Sequence, residues 1–87
     1  MKKIVEMTEV TGEGLESLLG KRVTFFCLNY IYTGKLVGVN AQCVRLDDAA
    51  IVYETGELNT KQWKDAQALP HPTYVMVSAI EAFMVLK

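Results

Sequence analysis

Histidine is almost missing from this chain, with His71 the sole example. The two cysteines, Cys27 and Cys43, stand far apart, and no Cys-x-x-Cys pair exists. A four-ligand zinc site of Cys and His type is therefore excluded within one chain. Both cysteines lie in strand-like apolar runs, where buried free thiols are expected; a disulfide between them is the alternative. No apolar run reaches the ~18 residues that a membrane helix requires. Residues 1–20 are broken by Glu6, Glu9, Glu13 and Glu16, which argues against a signal peptide. A cytoplasmic, reducing location is the expectation.

Charge of one sign is scarce as well. Like charges never extend beyond a pair, as in Lys21-Arg22 and Asp47-Asp48, and nine Lys and Arg against ten Asp and Glu leave a net charge of −1. Nucleic-acid binding driven by phosphates usually needs a clustered basic footprint. Any such binding here must rest on geometry, stacking or repetition around an assembly. No Ser-His-Asp or Cys-His set supports nucleophilic catalysis. Asp47 and Asp48, adjacent on a strand, would face opposite ways rather than share a metal. No catalytic residue, metal or cofactor is expected.

What the chain has in quantity is apolar surface. Its 87 residues suffice for one domain, and 51% of them are hydrophobic, yet a domain this short buries only roughly 60–65% of the surface its unfolded chain exposes. Some of that apolar surface is expected to be covered by another chain.

Met1–Val10, with Ile4, Val5, Met7 and Val10, reads as an arm or an added strand. Thr11–Gly20 reads as a short helix. Thr11 would cap it, Leu15, Leu18 and Leu19 would form one stripe, and Gly20 would stop it. Strands follow over Val23–Leu28, Gly34–Val39 and Cys43–Glu54, rich in β-branched and aromatic residues. The interior glycines Gly34 and Gly38 permit bending and close backbone approach. Thr55–Pro72 is a polar interruption, in which Thr60–Leu69 predicts about two turns of helix stopped by Pro70. Thr73–Val77 and Ile80–Leu86 are the last strands, joined through Ser78-Ala79. The expected class is all-β with a short N-terminal helix: five strands in a small, strongly bent antiparallel barrel.

Gly34-x-Leu36-x-Gly38-Val39, followed by the turn Asn40-Ala41-Gln42 and then Val44, Leu46, Asp48 and Ala49, resembles the first motif of the Sm and Sm-like family, an SH3-like barrel. Asn40 stands where that motif has Asp, and Cys43 falls near its Asn. Phe25-Phe26-Cys27-Leu28-Asn29 resembles the first strand of the family's bacterial branch. Val77-Ser78-Ala79-Ile80 is similar to the second motif without its charged residues. The resemblance covers about residues 11–54 and 73–86: the first-motif strands over 23–54, a variable loop over 55–72 and the second-motif strands over 73–87.

The resemblance implies a single Sm-like domain that assembles into a homo-oligomeric ring of about five to seven copies. It also implies a site for single-stranded RNA at the inner rim, with Asn40, Gln42, Cys43 and Ser78 as candidates. None of these is basic or aromatic, so the site would be degenerate, and the ring would serve in RNA binding or as a ribonucleoprotein scaffold. Tyr30 and Tyr32 are candidates for a second stacking surface; barrel-edge packing is their plainer role. Val75, Val77, Ile80, Phe83 and Val85 lie in an almost unalternating apolar run. Because a barrel interior takes only alternate residues of a strand, they are the candidates for contact between copies. Trp63 is expected to pin the long loop to the barrel or to anchor a partner. The alternative function is a barrel of the same shape acting as a protein-interaction or structural module without RNA.

Overall fold

The computed structural model describes residues 14–87. The arm or strand over Met1–Val10 and the Thr11 cap fall outside them. Six strands, β1 (Arg22–Cys27), β2 (Ile31–Val39), β3 (Cys43–Glu54), β4 (Asp65–Ala68), β5 (Thr73–Met76) and β6 (Ile80–Met84), form one antiparallel sheet. The order is β4-β3-β2-β1-β6, with β5 also paired to β3. Among the described residues no helix is long and apolar enough to cross a membrane.

Where an α-helix was expected, the described part of 11–20 holds a four-residue 3-10 turn, Leu15–Leu18. Gly14 has φ 86° and Gly20 φ 87°, left-handed values that glycine accepts without steric cost and that no α-helix contains. One turn fits between them. A 3-10 turn aligns i with i+3 rather than i+4: Leu15 and Leu18 pack on the core, while Leu19 is left exposed.

The twelve-residue β3 is the spine of the molecule. Its first part, Cys43–Leu46, pairs with β5, and its last part, Ala50–Glu54, pairs with β4. It bends between the two, at Asp48, whose φ is 49°. Opposite, the β2 register skips Gly34, so Thr33 faces Ala50 and Lys35 faces Asp47. This is a bulge, with extra residues on one strand and increased local twist. A Cβ at Gly34 would lie 3.1 Å from Ala49 Cα, the Asp47 carbonyl oxygen and Leu46 Cβ. The bend exists because nothing occupies that space. Asp48, thrown outward, pairs with Arg22 at 3.0 Å, and Asp47 pairs with Arg45 at 3.0 Å.

The polar interruption holds β4, which replaces the helix expected within Thr60–Leu69 and raises the strand count to six. The residues Asp65-Ala-Gln-Ala68 carry a helical preference of only tenths of a kcal/mol each. Without β4, one edge of Ala50–Glu54 would present unpaired backbone donors and acceptors. Pairing of Ala50 with Ala68, Ile51 with Gln67 and Val52 with Ala66 satisfies them. Tertiary pairing therefore outweighs local propensity.

The core comprises Val23, Phe25, Leu36, Val44, Leu46, Ala49 and Val75. Alternation brings Val44 and Leu46 inward and turns Arg45 outward. Two threonines are buried with them, Thr24 and Thr33. Thr33 Oγ1 donates to the Val23 carbonyl at 2.9 Å. Thr24 Oγ1 donates to the Leu86 carbonyl at 3.0 Å, which ties the segment after β6 back to β1. Between β5 and β6 stands a single three-residue 3-10 turn, Val77–Ala79. It sends two strand edges out in different directions, since among the described residues β5 pairs only with β3 and β6 only with β1.

Candidate functional site

Asn40 opens the β2–β3 turn. Its Oδ1 accepts the backbone N–H groups of Gln42 at 2.8 Å and Cys43 at 2.9 Å. The side-chain carbonyl thus holds the turn, leaving only its NH2 for a ligand. Asn40 is primarily a turn former, as its local hydrogen-bonding chemistry favours. The N–H of Val77 donates to the Gln42 carbonyl at 2.9 Å. That bond clamps the Val77–Ala79 turn against the β2–β3 turn and brings Gln42 and Ser78, both exposed, to one rim.

Below that rim lies a cavity of about 270 Å³ lined by Gly38, Val39, Asn40, Cys43, Arg45 and Tyr74. Arg45 and Tyr74 face each other across β3 and β5. Both escaped the sequence reading. Alternation marked Arg45 as outward, but only the strand register reveals that an aromatic ring stands beside it. The hydrogen bond and charge of Asp47 raise the Arg45 pKa further still, with Tyr74 adding to the effect. The site therefore has one cation and one aromatic ring that the two turns alone lack.

A second groove, of about 250 Å³, runs along β5 beside the β1–β2 turn, with Cys27, Leu28, Tyr30, Tyr32, Tyr74 and Met76 in its walls. Tyr30 and Tyr32 meet edge to face, with ring centroids 6.3 Å apart. No lining side chain carries a formal charge at neutral pH. Tyr74 lines both concavities, so the groove and the rim are neighbours.

No protein-family model, no curated protein and no solved structure matches this chain. Geometry alone bears on what the chain does.

The candidates for contact between copies divide. Val75 is 5% exposed and belongs to the core, because β5 turns alternate residues inward, which leaves its side chain little surface to offer a partner. Val77 and Ile80 are half-buried against the core. Phe83 and Val85 are exposed at 38% and 57%. Met76 and Met84, not singled out from sequence, are equally open. Phe83 also packs on Phe25 at 6.2 Å, so its ring has one face on the molecule and one on solvent.

Both cysteines are free and half-buried. Burial, and secondarily the nearby Glu81 carboxylate, raises the Cys27 pKa above the ordinary thiol value. The thiolate is the nucleophile, so a raised pKa means less of it at any given pH. Iodoacetamide at pH 8 is expected to label Cys27 several-fold more slowly in the native chain than in the urea-unfolded chain, with the rate–pH curve displaced upward. Equal rates, read by peptide mass spectrometry, would show that the Cys27 thiol is open to solvent.

Proposed function

We propose that this chain is a subunit of a homo-oligomeric assembly of Sm-like shape that holds single-stranded RNA weakly at its rim. The observation that carries this reading is the Val77–Gln42 bond. It joins the two turns, next to the point where the β3–β5 register pairs Arg45 with Tyr74. Tyr74 offers a ring for stacking, Gln42 an amide able to donate and accept along a base edge, and Arg45, whose Nε is held by Asp47, its remaining guanidinium N–H donors for phosphate. The strand order and the short turn between β5 and β6 support a small bent barrel.

Assembly follows from the free strand edges. An open apolar edge invites pairing, and among the described residues β5 and β6 each pair on one side only and carry exposed apolar residues. Pairing β6 of one copy with β5 of the next lays Phe83 and Met84 toward the uncharged tyrosine groove. Such a contact is heterologous, and it closes into a ring when the rotation between copies permits. Light scattering is expected to report a multiple of the subunit mass. A monomer at micromolar concentration would overturn the assembly.

Each subunit supplies one weak site, and linked weak sites give avidity. With a net charge of −1 per chain, few phosphates are neutralised and the salt dependence is shallow. Fluorescence anisotropy with labelled U-rich and A-rich oligonucleotides is the test. Ser78→Lys is expected to tighten binding several-fold, because one added cation is repeated around the rim. Arg45→Gln is expected to weaken it and to reduce the log–log salt slope by about 1 per subunit engaged. No binding at low salt by the natural chain, and none gained by Ser78→Lys, would sink the RNA reading.

A second reading, a protein-interaction module without RNA, is favoured by the groove itself. Its uncharged, tyrosine-rich walls beside a free strand edge suit an extended peptide. That reading stands if light scattering gives a monomer and anisotropy gives no RNA binding.

A further inference from the structure

The loop after β3 wraps around one ammonium group. Lys87 Nζ donates to the Thr55 carbonyl at 2.6 Å and to the Gln62 carbonyl at 2.8 Å. Thr60 Oγ1 lies 3.4 Å from the same nitrogen, and the Trp63 ring centroid lies 4.4 Å from it. The Thr60 hydroxyl donates to the Glu57 carbonyl at 2.8 Å, which folds the loop and leaves its oxygen able to accept from the cation. A primary ammonium has three N–H donors and no acceptor. Two carbonyls and a hydroxyl match those donors, and the aromatic face attracts the charge. The loop alone supplies every one of these groups.

Lys87, whose φ is 55°, reaches the loop from outside any strand. Val85–Lys87 belong to no strand, and Val85 is 57% exposed. A lysine arriving from elsewhere would present the same three donors to the same groups.

We propose that the loop Thr55–Trp63 is a receptor for a primary ammonium group, the side chain of a lysine on a partner, and that Lys87 is its displaceable resident. The proposal does not depend on RNA binding or on assembly. Lys87 acts as an intramolecular competitor, kept at the loop because Thr24 holds the neighbouring Leu86 carbonyl. Removing its charge therefore opens the site.

The ligand for the test is N-acetyl-lysine methylamide, with the norleucine analogue, which has the same stem and no ammonium, as control. Trp63 is the only tryptophan, so its fluorescence reports the site. Lys87→Met is expected to respond saturably to the lysine amide and not to the norleucine amide. The natural chain is expected to need several-fold more ligand. No saturable response by Lys87→Met up to roughly tens of millimolar, weaker than any useful affinity, overturns the proposal, as does an equal response to the norleucine amide. A second measurement covers failure of the variant to fold. In the natural chain, the Trp63 ring 4.4 Å from Lys87 Nζ is expected to shift the Lys87 side-chain NMR resonances, and added lysine amide to return them toward free-lysine positions. Resonances that stay unmoved overturn the proposal.

Discussion

Gly34→Ala is expected to lower stability by roughly 2–3 kcal/mol, the upper part of the usual overpacking range. An added Cβ would meet Ala49 Cα, the Asp47 carbonyl oxygen and Leu46 Cβ, all at 3.1 Å. Two of these atoms are backbone, and the third is fixed to a buried leucine, so none can step aside as a flexible side-chain tip would. Relief requires β2 and β3 to separate at the bulge, where the core residues Leu36, Leu46 and Ala49 converge. For a domain of this size, that cost corresponds to a fall in Tm of roughly 10–25 °C. Gly38→Ala is the internal control. Its Cβ would meet only Arg45 Cβ, at 3.5 Å, an ordinary contact, and the variant is expected within about 1 kcal/mol of the natural chain. Thermal melts of the two variants decide the point, and equal melting temperatures would show that the bend does not depend on Gly34.

Phe83→Asp is expected to abolish assembly while leaving a folded monomer. Within one chain Phe83 is 38% exposed and pairs by register with Phe25. Its replacement therefore removes a peripheral ring contact, worth about 1 kcal/mol, and leaves the carboxylate access to water. Between copies the balance reverses. A neighbour covering the β6 edge would desolvate that carboxylate with no cation to receive it, at a cost of several kcal/mol. Size-exclusion chromatography with light scattering, beside a circular dichroism spectrum, separates the two effects. A variant that remains assembled would remove β6 from the contact. One that unfolds outright would mean that the Phe25–Phe83 pair, and not a neighbour, is what the apolar run serves.

These two substitutions differ in how far the sequence alone foretold them. Glycines at 34 and 38 marked a bent strand, but the same letter does different work at each position, and only the paired strand reveals which is crowded. The apolar run from Val75 to Leu86 pointed to surface in need of cover. The register then assigned Val75 to the core and left Met76, Phe83, Met84 and Val85 outside. The rim shows the same division. Gln42 and Ser78 were named as candidates, whereas Arg45 and Tyr74 became neighbours only through the pairing of β3 with β5.

Composition and local pattern by themselves determined the all-β class, the limits of β3, the turn at Asn40 and the near-balance of charge. All of these depend on residues a few positions apart, where backbone preference, alternation and side-chain-to-backbone hydrogen bonds act directly. The tertiary structure alone decided the rest. Gly14 and Gly20 allow either a helix stop or a single 3-10 turn, and packing on the core selected the turn. Asp65–Ala68 has weak helical preference, and the open edge of β3 made it a strand. Asp48 reads as an ordinary strand residue and becomes a left-handed bulge because Gly34 vacates the space opposite. Lys87 and Trp63 are far apart along the chain and meet because Thr24 binds Leu86 and turns the segment after β6 back across the sheet. In each case the deciding energy comes from contacts between distant segments, and it exceeds the tenths of a kcal/mol by which a short stretch of sequence prefers one conformation to another.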